Sequence, residues 1–406
     1  MPPLPPFEVP EGDPFGPHNL PYGVFSTSGS TERRVGVRLG DHVLDAGAAA
    51  LALGSPYASL LARPTLNPLL AAGRTTWSDV RRALTAWVSV PAHRATLEPL
   101  FHPLSAVTLH LPFEVADYVD FYASENHARN AGRIFRPDAA EPLTPNWKHL
   151  PIGYHGRAGT VVVSGTDVVR PSGQRKAPSD PEPVFGPSVR LDIEAEVGFV
   201  VGAPSRQGEP VALGDFRDHV FGLTLLNDWS ARDIQAWEYV PLGPFLGKSF
   251  ATSISAWITP LEALEEARVP PPRRTHPLLP YLDDTTEEPA GYDLRISIAI
   301  NGQTVSEPPF STMYWTAAQQ LAHLTVNGAS LRTGDLYGSG TVSGAEPGER
   351  GSLLELTWNG QEPLELRDGK RTYLEDGDVV TLSAWAPGPG GSRVGLGDVS
   401  GRIVAG

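Results

Sequence analysis

The stretch that decides the fold is Leu191-Asp192-Ile193-Glu194-Ala195-Glu196-Val197-Gly198-Phe199-Val200-Val201. Polar and apolar residues alternate in its first half with a period of two, which predicts a β-strand. Alternate side chains share a face of a strand, so Asp192, Glu194 and Glu196 point one way. Adjacent carboxylates repel each other and are costly to bury unless something neutralises them. A divalent cation with oxygen ligands would do so.

Two further acids lie in similar apolar or aromatic surroundings. Asp120 belongs to the segment Asp117-Tyr118-Val119-Asp120-Phe121-Tyr122, and Asp228 follows the apolar run Phe221-Gly222-Leu223-Thr224-Leu225-Leu226. If both acids meet Glu194 and Glu196 in the folded chain, the protein is a metalloenzyme that uses a hard cation.

The composition indicates a large globular protein that is rich in β-structure. The chain has 406 residues, of which 40% are hydrophobic and 19% charged, so wholesale disorder is excluded. Gly (42) and Pro (41) are abundant. Many turns and short strands follow, and we expect a mixed α+β, β-rich fold rather than a helical bundle.

The net charge of −14 disfavours nucleic acid and anionic membranes as partners. There is no cysteine, which excludes disulfides, thiolate catalysis and cysteine-ligated zinc. The N-terminal segment Met1-Pro2-Pro3-Leu4-Pro5-Pro6-Phe7 lacks the basic and apolar regions of a secretory signal. No apolar run is long enough for a membrane helix, so we expect a cytoplasmic protein.

The chain divides into two predicted units, residues 1–115 and 116–406. The first contains short strands typical of a small barrel, and helical periodicity between Trp77 and Leu97. From residue 116 onwards His, Asp, Glu, Arg and aromatic residues crowd into short segments. Strands are predicted there at 160–164, 167–170, 221–226, 353–358, 379–382 and 402–404, and a loop at 262–290.

The first segment with candidate chemistry runs from Asp117 to His127. Asp120 could ligate a metal, Tyr122 could donate to a substrate carboxylate, and His127 could be a general base, because its unperturbed pKa lies near working pH. The alternative is the start of a surface helix with solvated polar groups.

The second segment, residues 227–239, follows a predicted strand and has a helical pattern. Asp228, Arg232, Gln235 and Tyr239 would share one stripe of that helix. A polar stripe is usually the solvated face. This one begins at the end of a strand and leads into a loop rich in Gly and Pro, which favours a functional site.

Two more segments contribute candidates. Lys248 lies among apolar residues, where a lysine is either buried and paired or functional. The glycine spacing before it does not match a P-loop, so nucleotide binding is rejected. The Gly-rich turn 338–344 would let the Thr341 hydroxyl approach a ligand. Glu355 lies in a predicted apolar strand and needs a partner such as a histidine, unless it faces solvent.

Taken together, these segments resemble the fumarylacetoacetate hydrolase family over nearly all of the chain from Asp117 onwards. The specific stretches are Asp120-Phe121-Tyr122, Leu150-Pro151-Ile152-Gly153-Tyr154-His155-Gly156-Arg157, Asn227-Asp228-Trp229-Ser230-Ala231-Arg232-Asp233-Ile234-Gln235 and Gly243-Pro244-Phe245-Leu246-Gly247-Lys248-Ser249-Phe250. The resemblance implies a small N-terminal SH3-like β-barrel domain (1–115), a C-terminal β-roll domain (116–406) and a homodimer.

The resemblance also implies roles for individual residues. The implied ligands of a catalytic Ca²⁺ are Asp120, Glu194, Glu196 and Asp228. A second cation, Mg²⁺, is implied at Asp228, Thr252 and Lys248, where the lysine would contribute its backbone carbonyl. The implied catalytic residues are His127 as base, Glu355 to orient it, and Arg232, Gln235 and Lys248 to stabilise an oxyanion. The implied substrate contacts are Tyr122, Arg136, Tyr154, Gln235, Tyr239 and Thr341.

The reaction implied by the resemblance is hydrolysis of a carbon–carbon bond in the β-diketone 4-fumarylacetoacetate, the last step of tyrosine breakdown. The nearest alternative is a related acylpyruvate hydrolase, or a decarboxylase or hydratase of keto-diacids. A non-catalytic metal- or sugar-binding β-protein would leave Lys248, Arg232 and His127 unexplained. Four carboxylates around one divalent cation leave two negative charges, which Arg232 and Lys248 would balance.

Overall fold

The computed structural model describes residues 7–406. The interpretation of the N-terminal segment as lacking a secretory signal rests mainly on residues 1–6, which lie outside the described residues. No helix between residues 7 and 406 is both long and apolar enough to cross a bilayer.

Short strands dominate the described chain, as the abundance of Gly and Pro predicts. The strands are β1 Tyr22–Thr27, β2 Arg34–Leu39, β3 His42–Asp45, β4 Phe101–Pro103, β5 Val107–His110, β6 Asp117–Phe121, β7 Gly153–His155, β8 Val161–Val163, β9 Val168–Val169, β10 Ser172–Arg175, β11 Val184–Pro187, β12 Leu191–Asp192, β13 Ala195–Val201, β14 Val220–Asp228, β15 Ser230–Ala231, β16 Thr252–Ile254, β17 Trp257–Pro260, β18 Arg268–Val269, β19 Gly291–Tyr292, β20 Arg295–Ile300, β21 Gln303–Ser306, β22 Asp335–Gly338, β23 Leu364–Leu366, β24 Gly369–Arg371, β25 Val379–Pro387 and β26 Arg393–Val404.

The helices are mostly short and lie between the strands. They are α1 Ala46–Ala52, α2 Ala58–Leu61, α3 Asn67–Leu70, α4 Arg74–Ser89, α5 Arg94–Leu97, α6 Glu125–Phe135, α7 Phe216–His219, α8 Arg232–Glu238, α9 Ala317–Thr325 and α10 Leu353–Leu356. The helical periodicity between Trp77 and Leu97 is confirmed by α4 and α5. The predicted loop 262–290 is confirmed only for residues 270–290, which contain neither helix nor strand; its first part forms the 3₁₀-helix Leu261–Ala267 and the strand Arg268–Val269.

One large sheet organises the protein. Its strands follow the order β4-β3-β2-β1-β17-β14-β13-β22-β6-β7. β13 lies between β14 and β22, and β22 pairs in parallel with β6, so Gly338 lies opposite Asp120. This order brings the ends of β6, β13 and β14 to one region of the sheet.

The N-terminal strands belong to the same sheet. β1 pairs with β17, and within the described residues the ladder β4-β3-β2-β1 does not close into a barrel. Apolar residues of this unit, such as Val24 and Trp77, share one core with Phe221 and Ile258 of the second unit. The fold is therefore mixed and rich in sheet. The boundary at residues 115 and 116 stays a prediction.

A second sheet, of order β21-β20-β25-β26-β9, packs in the other large core. The predicted strands at 160–164, 167–170, 221–226, 379–382 and 402–404 are confirmed as β8, β9, β14, β25 and β26, with shifted ends.

The prediction of one continuous, two-faced strand at 191–201 is wrong in detail. The chain leaves the strand at Ile193 and Glu194, so β12 and β13 belong to different sheets. Every residue from 191 to 201 is buried, on both faces, because β13 runs through the middle of the large sheet. The carboxylates therefore lie inside the protein rather than on an open face.

Two helix and strand assignments are also wrong. The predicted strand 353–358 is the helix α10, because Ser352 caps its first turn by accepting from the Glu355 amide. A short apolar run does not distinguish the two structures. Asp228 ends β14 instead of starting a helix, since its backbone pairs with Thr252 of β16, and α8 begins only at Arg232.

Candidate active site

Four buried carboxylates converge at the predicted metal site. One oxygen from each lies within 4.8 Å of the others, in the set Asp120, Glu194, Glu196 and Asp228. They come from β6, from the break before β13, from β13 itself and from the end of β14. The sheet order thus joins residues that are more than a hundred positions apart in sequence.

These carboxylates are unfavourable for the protein alone. Burial raises the pKa of Asp120, and the neighbouring Asp228 raises it further. The pKa of Glu196 is raised in the same way, by burial and by Asp120. Repulsion and desolvation therefore oppose the ionised cluster, which a divalent cation would relieve.

Two cationic side chains offset part of this charge. The Nζ of Lys248 donates to Glu194 Oε2 and Asp228 Oδ2, each at 2.6 Å. Arg232 Nη2 donates to Glu194 Oε1 at 2.7 Å. Burial opposes ionisation of Glu194, but these two cations outweigh burial and lower its pKa. The structure places Arg232 and Lys248 together beside the cluster, as predicted.

The remaining oxygens fit a hard cation. Asp120 Oδ1 and Glu196 Oε1 are buried and have no hydrogen-bond partner among residues 7–406. The second oxygen of Glu196 accepts from the Gly340 amide at 3.0 Å. Oxygen-only donors with free lone pairs suit Ca²⁺ or Mg²⁺ and not a soft metal. Among residues 7–406 no other group of three His, Asp or Glu side chains has this geometry.

The predicted second cation site is less complete. Thr252 Oγ1 lies 3.5 Å from Asp228 Oδ1, so the threonine and the carboxylate are neighbours. Lys248 meets Asp228 through its side-chain ammonium. Asp228 is thus the single carboxylate of this set, and its other oxygen already accepts from Lys248.

A histidine–glutamate pair lies beside the cluster. His127 Nδ1 is 2.7 Å from Glu355 Oε2, and both side chains are buried. His127 lies in the first turn of α6, whose N-cap Ser124 accepts from the His127 amide. The alternative of a surface helix start with solvated groups is therefore wrong for this histidine. His127 is close enough to Glu194 for its charge to lower the pKa of that carboxylate.

Glu355 is held by several donors besides the histidine. Asn130 Nδ2 donates to Oε1, and the hydroxyls of Ser343 and Ser352 donate to Oε2, all at 2.9 Å. Burial opposes ionisation of Glu355, but His127 and these donors outweigh it, and its pKa lies below the usual value. A fixed carboxylate of this kind keeps Nδ1 protonated and leaves Nε2 as the basic atom.

Two candidate ligand contacts lie close to this pair. The Tyr122 ring stands edge-on to His127, with ring centroids 5.3 Å apart. Burial and the nearby Glu355 raise the pKa of Tyr122, so its hydroxyl stays a neutral donor. Thr341 Oγ1 is buried and has no hydrogen-bond partner in the described part of the chain, which makes it available to a ligand. The preceding Gly340 has φ +76°, and a Cβ there would meet the Phe121 carbonyl oxygen at 2.2 Å.

A cavity of about 140 Å³ opens beside the cluster. It is lined by Tyr154, Asp228, Lys248 and Phe245, among others. Tyr154 of β7 lies opposite Asp120 of β6 in the sheet. Gln235 Oε1 accepts from Arg232 Nη1 at 3.1 Å, so the amide is directed by the arginine.

Two predicted substrate contacts lie at the periphery. Arg136 is exposed, and its Nη2 donates to the Pro142 carbonyl at 2.7 Å. Tyr239 caps the end of α8 and is 46% exposed. In the described part of the chain, neither side chain hydrogen-bonds to the carboxylate cluster.

The sequence reasoning gave no role to several residues that touch the site. The strand pattern predicts only that Asp192 shares a face with Glu194. In the structure, Arg232 forms ion pairs with both carboxylates. Asn130, Ser343 and Ser352 surround Glu355 but carried no distinctive pattern. Ser124 had a local signal, because a serine before an acidic first turn is typical of a helix N-cap.

Comparison with known families agrees with this geometry. Residues 117–404 match the family described as fumarylacetoacetate (FAA) hydrolase, C-terminal, and residues 18–112 match the family described as fumarylacetoacetase, N-terminal. The two matches together cover most of the chain.

Individual proteins are similar over nearly their whole length. The chain is 44% identical to fumarylacetoacetase of Homo sapiens, covering 98% of this chain and 97% of the relative. It is 46% identical to fumarylacetoacetase of Arabidopsis thaliana, covering 95% and 94%. Among solved structures, a fumarylacetoacetate hydrolase from Exiguobacterium antarcticum superposes with a TM-score of 0.55 at 17% identity, covering 95% of this chain and 100% of that one. At that identity the superposition shows the fold alone.

Proposed function

This chain belongs to the fumarylacetoacetate hydrolase family, and from that premise we propose that it hydrolyses 4-fumarylacetoacetate to fumarate and acetoacetate. It is a hydrolase that acts on a carbon–carbon bond, and its place is the last step of tyrosine and phenylalanine breakdown. The observation that carries the proposal is the buried carboxylate cluster beside the His127–Glu355 pair. An acid cluster without a base, or a base without a cluster, would not point to this chemistry.

The chemical difficulty is a weak nucleophile and a carbanionic leaving group. Glu355 holds the Nδ1 side of His127, so Nε2 can take a proton from water. The water oxygen then forms a bond to the carbonyl carbon next to the fumaryl group. When the carbon–carbon bond breaks, the electron pair stays on the acetoacetate carbon as an enolate, which His127 can reprotonate. General base catalysis of this kind typically contributes about 10²- to 10⁴-fold.

The alkoxide formed in the attack needs positive charge. Arg232 and Lys248 lie side by side around Glu194, and Gln235 is directed by Arg232. Burial alone would lower the pKa of Lys248, but Asp228 and Glu194 outweigh it and raise the pKa, so the ammonium stays charged. These donors are fixed before the reaction, and removal of one oxyanion donor typically costs about 10²- to 10³-fold in turnover.

We assign Asp120, Glu194, Glu196 and Asp228 as ligands of a divalent cation, with Ca²⁺ as the ion. When bound, the cation would supply a Lewis acid and a template for the two diketone oxygens. The free oxygens of Asp120 and Glu196 support this assignment. Mg²⁺ at Asp228, Lys248 and Thr252 stays a prediction, and a count of bound ions per chain, one or two, tests it.

Substrate binding follows from the same residues. Tyr122, Tyr154 and Thr341 offer hydroxyls at the site, and Arg136, Gln235 and Tyr239 are the further contacts that the family resemblance implies. Because Arg136 and Tyr239 are at the periphery, we propose that they meet the substrate carboxylates from outside. Lys248 and Arg232 make the interior locally cationic, which explains how an acidic protein can bind an acidic substrate.

The experiment that tests the proposed function is the decay of the ultraviolet absorbance of fumarylacetoacetate, with and without a chelator. We expect turnover that a chelator abolishes and a divalent cation restores. A parallel assay with simple acylpyruvates separates the related hydrolases, because the alternative predicts faster turnover of acylpyruvates. A metal-loaded protein that turns over neither substrate would support the non-catalytic alternative.

We also propose a homodimer, whose interface includes an apolar surface next to the site. Leu242 and Phe245, in the loop after α8, are 97% and 66% exposed, and Phe245 lines the cavity beside the carboxylate cluster. Large exposed apolar side chains close together are typical of interaction surfaces. Light scattering of the purified chain should give twice the chain mass, and Leu242→Glu should shift it towards the monomer.

Two further expectations have no support in the described geometry. The SH3-like character of the N-terminal unit stays a prediction, because its strands do not close into a barrel. The cytoplasmic location also stays a prediction, which fractionation of the source cells tests.

A further inference from the structure

One buried carboxylate at the site is not part of the cation cluster. Asp192 is fully buried, yet its oxygens are absent from the group that could share an ion. A buried carboxylate is costly unless donors satisfy it. Its partners therefore indicate what it is for.

The first partner is Arg232. Arg232 Nε donates to Asp192 Oδ2 at 2.8 Å, while Nη2 and Nη1 donate to Glu194 and Gln235. Among the described residues, Asp192 is the sole hydrogen-bond acceptor of the Nε atom. The guanidinium is a planar fork, so fixing Nε as well as Nη2 fixes the plane in which Nη1 points at Gln235.

The second partner is the helix that carries Glu355. The Leu353 amide donates to Asp192 Oδ1 at 2.7 Å, and the Leu354 amide donates to Oδ2 at 3.0 Å. α10 is a single turn of four residues, which would not be stable alone. Its first amides are held by Asp192, and Glu355 is the next residue along.

We propose that Asp192 is a positioning residue that fixes the oxyanion donor Arg232 and the helix of Glu355 relative to each other. Asp192 is not one of the four cluster carboxylates, and it acts on the reaction through its hydrogen bonds to Arg232 and to the first amides of the helix that carries Glu355. One carboxylate thus aligns the positive charge for the alkoxide with the acid that orients the base. This inference rests on the proposed function, in which Arg232 and Glu355 serve those two roles.

The test is Asp192→Asn, which keeps the shape of the side chain. If the NH₂ of asparagine takes the place of Oδ2, it faces the N–H groups of Arg232 and Leu354. An NH₂ group cannot accept, so these hydrogen bonds are lost. We expect kcat to fall roughly 10- to 100-fold, as for other groups that orient a catalytic residue. KM and the dissociation constant for Ca²⁺ should each change less than about threefold, because Asp192 is not a ligand and the loss is confined to the transition state.

A matched control is available in Asp378. It is also buried, and it accepts from Arg371 Nε at 3.0 Å, from Asn301 Nδ2 at 2.8 Å and from the Glu375 amide at 2.8 Å. It lies immediately before β25. Arg371 ends β24, Asn301 follows β20 and Glu375 lies between β24 and β25, so none of these partners belongs to the carboxylate cluster or to the His127–Glu355 pair. Asp378→Asn should lower the melting temperature and leave kcat unchanged. The contrast separates a catalytic effect from a general loss of stability.

Three results would overturn the inference. The first is a kcat for Asp192→Asn equal to that of Asp378→Asn. The second is a weakened Ca²⁺ affinity with full kcat at saturating Ca²⁺, which would place Asp192 in the metal site. The third is a failure of both Asp192→Asn and Asp192→Glu to fold while Asp378→Asn folds, which would make Asp192 a structural residue.

Asp192→Glu serves if Asp192→Asn does not fold. It keeps the charge but displaces the carboxylate, and the same selective loss of kcat is expected.

The failure of this inference can be told from failure of the proposed function. The wild-type chain first identifies which diketone is cleaved, and the variants are then compared on that substrate. A wild type without turnover contradicts the proposed function. An active wild type with an unaffected Asp192→Asn variant contradicts the positioning role alone.

Discussion

The carboxylate cluster and the His127–Glu355 pair are both buried and acidic, but they differ in how well the protein satisfies them. Glu355 accepts hydrogen bonds from four side chains, and its pKa is lowered. Asp120 and Glu196 each have one carboxylate oxygen that no described residue hydrogen-bonds, and their pKa values are raised.

The difference shows which part of the site is complete in the chain itself. Glu355 needs nothing from outside, so the base is preorganised before any ligand binds. The cluster is held together by the fold at the expense of stability, which is common at functional sites and is relieved by the ligand they bind. Each of the following predictions tests this contrast.

The largest expected effect is that of His127→Ala on turnover. Without the base, kcat should fall by at least about 10²- to 10⁴-fold. Binding of Ca²⁺ should stay the same, because the histidine is not one of the four ligands. Steady-state kinetics and a calcium titration on the same preparation check both parts. A variant that keeps nearly full turnover would remove His127 from the mechanism.

Glu355→Gln should have the next largest effect. The amide can present an N–H to His127 Nδ1 and so favour the wrong tautomer, which in a comparable acid–histidine pair costs about 10⁴-fold. We expect a loss of roughly 10²- to 10⁴-fold in kcat with Ca²⁺ binding retained. Equal kcat values for the variant and the wild type would mean that Glu355 does not orient the base.

The stability of the metal-free protein should respond in opposite directions to two similar substitutions. Asp120→Asn removes a charge that burial and Asp228 disfavour, so it should raise the free energy of unfolding by on the order of 1 kcal/mol. Glu355→Gln replaces a carboxylate oxygen with an amide NH₂, which cannot accept from the donors around this side chain. The substitution should therefore lower the free energy of unfolding by roughly 1–3 kcal/mol. Thermal denaturation in the presence of a chelator measures both. If both substitutions destabilise, the cluster is not strained.

The pH dependence of the metal-free protein should show the same contrast, as the smallest effect. The folded pKa values of Asp120 and Glu196 are raised, so the folded state binds more protons than the unfolded chain above about pH 4. Stability from these groups is therefore lost as the pH rises from that value. The folded pKa of Glu355 is lowered, so its contribution is lost as the pH falls below about 4.

This dependence can be measured as a difference between two proteins. The gain in melting temperature from Asp120→Asn in chelator should be largest at neutral pH and should shrink towards pH 4, where the wild-type carboxyl is protonated. A gain that grows on acidification would reverse the assigned direction of the pKa shift.

Much of the site was predictable because its candidate residues lie in short segments of the sequence. Acids inside apolar or aromatic stretches indicated Asp120, Glu194, Glu196 and Asp228, and a histidine close to Asp120 and Tyr122 in sequence indicated His127 as a base. The family resemblance assigned Arg232 and Lys248 to the site, and the charge of the four carboxylates supports their joint position. The acidic and histidine candidates need only the local sequence and the cost of burying charge.

The parts that could not be predicted depend on contacts between distant segments. Residues 353–358 form a helical turn because Ser352 and Asp192 satisfy its first amides, and Asp192 lies far away in the sequence. Asp228 stays in a strand because β16 pairs with it. The N-terminal strands extend the large sheet through β1 and β17, where local patterns indicated a barrel.

The measurement that tests the central claim most directly is the number of divalent cations bound per chain, followed together with turnover. Wild type, His127→Ala and Asp120→Asn would be stripped with a chelator and titrated with Ca²⁺. The account predicts a tight site in wild type and His127→Ala, its loss in Asp120→Asn, and return of turnover only in wild type as the site fills. Full turnover by the metal-free wild type, or unchanged binding by Asp120→Asn, would contradict it.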